Sequence, residues 1–191
     1  MFNEKAASTD VVNAGLIART GADSSARAGG IFHVQCFDKD GNLKWETKEH
    51  NLVVNEGLQN MNTQYFKGST YSAAFYLGLV TGPGSGTTYS AADTLASHSW
   101  TEFTNYSGSR KAVTFGTATT ADPSVISNSA SPSSFSITSS GGVVAGAFLC
   151  TVASGTSGVL FSESDFQSPG DRTVVNGDTL NVTYTFSLDA A

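Results

Sequence analysis

Residues 179–188 read Thr-Leu-Asn-Val-Thr-Tyr-Thr-Phe-Ser-Leu, with apolar side chains at 180, 182, 184, 186 and 188 and polar ones between them. A strand sends successive side chains to opposite faces, so this period of two describes a strand buried on one side and does not suit a helix. Asn176-Gly177-Asp178 stands immediately before it, the strongest hairpin-turn signal in the chain. A strand with one apolar face has to bury that face against a second layer. The chain is thereby directed toward a layered β architecture.

Other segments carry compatible patterns. Ile31–Phe37 and Leu43–His50 flank Asp38-Lys-Asp-Gly-Asn42, which predicts a β-hairpin. Residues 73–80 are continuously apolar and short, as a buried strand is. Further strands are predicted at 111–117, 135–138, 143–152, 159–163 and 172–175, with an extended piece at 100–103. The chain contains 26 Ser, 22 Thr and 20 Gly in 191 residues, which suits short strands joined by small polar turns. Two helices interrupt the pattern. One covers 55–66, with Asn55 as its cap and Leu58, Met61 and Tyr65 on one face; the other is a short helix at 91–98 capped near Ser90. Residues 118–134, with Pro123 and Pro132, read as a polar connection. The expected fold is mainly β: a β-sandwich, or a Greek-key or jelly-roll-like barrel, with one or two short inserted helices.

Residues 1–30 differ from the rest. They lack a strand pattern and end in the small-residue stretch Gly21–Gly30, so they are expected to form an extended arm preceding a single domain at 31–191. Val11, Val12, Leu16 and Ile17 give that arm something apolar to bury and make it a partner-docking segment.

Charge narrows the function. The net charge is −6, and Arg172 is the single basic residue after Lys111. Nucleic-acid binding needs clustered Lys and Arg to neutralise phosphates, so it is not expected. No run approaches the ~20 apolar residues that cross a bilayer, and Met1–Asp10 lacks a secretory pattern. Neither a membrane nor a secreted location is expected.

Chemistry-bearing motifs are weak throughout. Asp38, Asp40, Asn42 and Glu49 fall at four ligand positions of a calcium loop, but Leu43 occupies the place of its obligatory Gly, and a hairpin turn is the better reading. His33 and Cys36 are three apart, which on a strand places them on opposite faces. Asp93, Ser97 and His98 are close in sequence, yet with this many serines such proximity is expected by chance, and no Gly-x-Ser-x-Gly elbow exists. Gly82–Gly86 lacks the Lys of a phosphate loop. Cys36 and Cys150 cannot build a disulfide framework; buried thiols are expected, with their pairing left open. Trp45, Trp100 and the tyrosines could form a sugar-stacking face, as a carbohydrate-binding or adhesin module requires, but core and interface packing is the favoured reading. No catalytic residue, cofactor or metal is assigned, and an enzyme is not expected.

Several segments together resemble small virion proteins of tailed bacteriophages. They are Asp38–Trp45, Asn51–Gly57, Phe75–Leu79, Ala91–Glu102, Arg110-Lys111, Phe115-Gly116, Val144–Leu149 and Gly177–Leu188, so that the likeness spans roughly residues 31–188. The resemblance implies a non-enzymatic, oligomeric component of the virion, assembled in the bacterial cytoplasm. A head decoration protein contacting the major capsid protein is favoured, ahead of a tail-fibre or fibre-to-neck adaptor subunit contacting neck or tail proteins.

Overall fold

A computed structural model describes residues 26–67, 74–83, 88–138, 140–167 and 170–190. The chain is mainly β, 49% strand and 8% helix, arranged as two antiparallel sheets that do not close into a barrel. The elements are β1 (Ala26–Phe37), β2 (Leu43–His50), β3 (Leu52–Val53), α1 (Asn55–Phe66), β4 (Tyr76–Thr81), β5 (Glu102–Phe103), β6 (Lys111–Ala112), β7 (Ser124–Ser127), β8 (Ser133–Ser136), β9 (Gly142–Cys150), β10 (Leu160–Asp165), β11 (Arg172–Val174) and β12 (Thr179–Ala190). The first sheet runs β2-β1-β12-β7, with β8 also on β12; the second runs β3-β10-β9-β4-β5, with β11 on β9 and β6 on β4.

The two sheets bury their faces differently, and the sequence patterns explain why. β12 alternates, and Leu180, Val182 and Tyr184 point inward with Phe32, Val34 and Cys36 of β1. Across from them lie Leu77 and Leu79 of β4, Ala147 and Leu149 of β9 and Phe161 of β10. β4 and β9 are apolar without alternation because their sheet is covered twice. Its outer face carries Val80, Ala145, Phe148 and Cys150, roofed by Val54, Leu95 and Trp100.

The β1–β2 hairpin forms as expected. Asp38 Oδ1 accepts the backbone N–H groups of Asp40 at 2.8 Å and Asn42 at 2.9 Å, an Asx arrangement that closes the turn. The turn at 176–178 does something other than the hairpin its sequence predicts. β11 pairs with β9 in one sheet, while β12 pairs with β1 in the other. Gly177, at φ +90°, therefore carries the chain from layer to layer. Buried Asp178 accepts the Val175 N–H at 2.9 Å and fixes that crossing.

Other boundaries moved. β1 starts at Ala26, so the last five residues of the expected arm are strand, paired from Ala26↔Ala190 to Gly30↔Phe186. Their small side chains give no strand signal, but their backbone groups pair as well as any along the edge of the twelve-residue β12. The polar stretch 118–134 contributes β7 and the start of β8, also on β12. The expected strand at 111–117 is reduced to β6.

Residues 91–98 are not helical. Ser90 Oγ accepts the Ala92 N–H at 3.2 Å, and Thr94 and Ser97 form a short backbone bridge. These local bonds compete with a helix. α1 matches its expected span, but Asn55 is its first residue and Val54 its N-cap, with no side-chain cap. The Asn55 N–H goes to Ala91 O at 2.8 Å instead.

Candidate interaction surface

Of the face that hydrophobic spacing indicates for α1, Met61 packs inward while Leu58 and Tyr65 do not. Gly57 is the buried residue of the helix, and Met61, one turn on, packs against the core. A Cβ at Gly57 would lie 2.3 Å from Phe161 O, so the helix reaches β10 through a bare backbone. Glu56 in the first turn completes the anchor, its Oε2 accepting the N–H of Leu160 at 2.7 Å and of Leu95 at 3.2 Å. Rotating the contact onto Gly57 turns Leu58 outward, at 39% exposure, and leaves Tyr65 and Phe66 at 84% and 80%. Their rings meet edge to face at 5.0 Å.

Below these rings lies an apolar groove of about 650 Å³. Met61, Tyr65 and Phe66 form its helix side, Phe75 and Phe161 its floor, and Ala26 and Leu188 its sheet side. The alternation of β12 continues past the end of the core here: Tyr184 is fully buried, whereas Leu188 is 38% exposed. An apolar end face of this kind is the usual mark of a contact surface.

The residues that sequence singled out for chemistry go elsewhere. Val11, Val12, Leu16 and Ile17 lie outside the described residues. Asp38 closes its turn, while Glu49 lies across from Phe32, well along the hairpin, and accepts Thr47 Oγ1 at 2.5 Å; no calcium loop assembles. His33 pairs with Glu46 at 3.0 Å on the outer side, and Cys36 is buried on the inner one. Among the described residues no group of three or more His, Cys, Asp and Glu converges to hold a metal, and no helix is long and apolar enough to cross a membrane.

Ser97 and His98 form no triad with Asp93. The His98 ring stacks on Trp100, centroids 3.5 Å apart, and its Nδ1–H donates to Trp100 O at 2.8 Å. Nor do the tryptophans make a sugar platform. Trp100 is 4% exposed under the second sheet, and Trp45 faces inward, packed edge-on against Phe166 at 6.4 Å. The thiols are separate: Cys36 sits between the sheets and Cys150 on the outer face of the second, both free and buried.

Sequence reasoning missed one charged cluster. Glu163, fully buried on β10, accepts Trp100 Nε1–H at 2.8 Å and the Ser90 N–H at 3.2 Å, and is hydrogen-bonded to Asp93. Burial pushes its carboxyl up to about 7; the Trp100 hydrogen bond opposes this and the Asp93 charge adds to it. The cluster ties the 88–100 loop to the sheet. No periodicity foretells it, because its members are 63 or more residues apart from Glu163 in sequence only to be joined by the fold.

Compared with family models, curated proteins and solved structures, the chain matches none.

Proposed function

We propose that this chain is a non-enzymatic structural component on the exterior of a tailed-bacteriophage particle, a head decoration protein in the first instance. The observation that carries a contact role is the apolar end face, where Tyr65 and Phe66 stand exposed above the groove. The particle assignment comes from the sequence resemblance. The outer face of the first sheet suits solvent, with Glu46 accepting hydrogen bonds from His33 and Gln35. The net charge of −6 disfavours contact with packaged genome and agrees with an exterior position.

A decoration protein binds a lattice of capsid subunits, and many copies supply avidity, so each contact need not be tight. The experiment is to produce particles in cells carrying the wild-type chain or Y65S/F66S and to compare the amount of chain in purified particles. Both side chains are exposed, so the variant is expected to fold. A large drop in incorporation supports the contact role; equal incorporation rejects it. Chain recovered with isolated tails rather than heads would instead support the fibre or neck-adaptor alternative.

A further inference from the structure

We infer that the free edge of β2 pairs with the β2 edge of a second copy of this chain, antiparallel about a two-fold axis at Thr47, so that Glu46 of each copy faces Lys48 of the other. β2 is the end strand of the first sheet and has eight residues. The other strands that end a sheet path, β3, β5 and β7, have four residues or fewer. A long edge strand presents a row of N–H and C=O groups that a further strand can satisfy.

The β1–β2 register fixes which groups face outward. Asn51 N–H donates to Gly30 O at 3.0 Å, and the same register sets Glu49 on Phe32 and Thr47 on Val34. Hydrogen-bonded pairs recur at every second residue of an antiparallel ladder, so Thr47 and Glu49 direct their backbone groups at β1. Glu46 and Lys48 direct theirs away from it, and among the described residues nothing hydrogen-bonds to those groups. The His50 carbonyl accepts Ser164 Oγ at 3.0 Å, which closes that end of the edge.

Charge selects the register between copies. Two edges exchange backbone hydrogen bonds only where outward-facing residues meet. An axis at Glu46 sets two carboxylates face to face, and an axis at Lys48 two ammonium groups; like charges directly opposite are unfavourable. An axis at Trp45 requires Lys44, which is the extra residue of a β-bulge and is ion-paired with buried Asp178. An axis at Thr47 brings Glu46 and Lys48 together on both sides of it, and the two threonines meet as a favourable cross-strand pair. Among the described residues Lys48 has no ion pair, and Glu46 is 49% exposed beside His33. A lysine alone on an edge strand discourages pairing; a glutamate two residues before it makes the same lysine specific for one partner. No β2 residue lines the apolar groove, and the pairing does not depend on the particle assignment.

The test is sedimentation equilibrium of the full-length protein from about 1 μM to 1 mM, with E46K, K48E, the double variant E46K/K48E and Y65S/F66S. Glu46 and Lys48 are exposed, so the charge variants are expected to fold. Each single reversal sets like charges opposite on both sides of the axis, and the double variant restores opposite charges. E46K and the double variant alike lose the His33 and Gln35 contacts, so recovery in the double is not a folding effect. The expected result is a wild-type dimer, dissociation constants at least about tenfold higher in both single variants, and recovery to within about threefold of wild type in the double. Y65S/F66S should dimerise as wild type does. A wild type that stays monomeric throughout would overturn the inference. Dimers that ignore the single reversals, that are not recovered in the double variant, or that are lost in Y65S/F66S would overturn it as well.

Discussion

The side-chain amide of Asn128 stands in for a missing strand beside Tyr184. Its Oδ1 accepts the Tyr184 N–H at 2.7 Å, and its Nδ2 donates to Val182 O at 3.2 Å. β7 serves β12 at 185–188 and β8 serves it at 179–182, so Asn128 bridges the gap between the two short strands. The residue is fully buried, and water cannot replace it without rearrangement. N128A leaves two backbone groups unpaired, each costing about 1–3 kcal/mol. We expect a loss of about 3 kcal/mol in urea unfolding. N128D should recover the bond to Tyr184 but not the one to Val182, and should also bury a charge. A near-neutral N128A would contradict this role.

Glu163 sets a pH dependence. Its folded-state carboxyl is raised to about 7 from an ordinary value of 4.5. Between those values the folded chain holds a proton that the unfolded chain has released, so stability falls as pH rises through this window and levels off above it. E163Q keeps an acceptor for Trp100 and removes the titration. The difference in stability between E163Q and wild type should therefore grow in favour of the variant from about pH 4.5 to 7. Parallel stability curves for the two proteins would sink the assignment.

Gly57 tests how the helix docks. Gly→Ala inside a helix normally gains about 1 kcal/mol from propensity. Here the new Cβ would meet the Phe161 backbone carbonyl, which cannot swing aside as a side-chain tip could. Overpacking of this kind costs about 1–3 kcal/mol. G57A should therefore be net destabilising despite its propensity gain, as measured by thermal unfolding. A stabilised G57A would show that α1 is not held against β10 by this contact.

The two thiols should be silent in the native protein. Burial, with Asp178 nearby, pushes the Cys36 thiol up to about 12, and burial raises Cys150 as well. Neither is a thiolate near neutral pH, and neither is reachable. A thiol reagent should modify both only at the rate of unfolding. Rapid native labelling of either would contradict their placement.

The strands that were legible in the sequence are those whose side chains carry the information. β12 shows its one buried face by alternation, and β4 and β9 show two buried faces by continuous apolar runs. β7 was hidden because Val125 and Ile126 form too short a run between Pro123 and a Ser/Asn-rich stretch to carry a period, and the first residues of β1, Ala26–Gly30, because their contribution is backbone pairing and not side-chain burial. The turn at Gly177 was legible as a turn but not as a change of sheet, since local sequence does not encode which partner each flanking strand finds. The helix face is legible only at Met61, which packs inward; Leu58 and Tyr65 turn outward because the closest contact is made by Gly57, invisible to any hydrophobic pattern. That contact also hid the apolar end face, which exists because the helix is rotated onto Gly57. Glu163 was out of reach for a different reason: its partners Trp100, Ser90 and Asp93 come to it only after folding.

The central proposal is an exterior position on a phage particle, and immunogold electron microscopy of purified particles with antibody against this chain tests it most directly. The account predicts label distributed over the head of intact particles. Absence of label from intact particles that nevertheless pass a control for a known surface protein would contradict it.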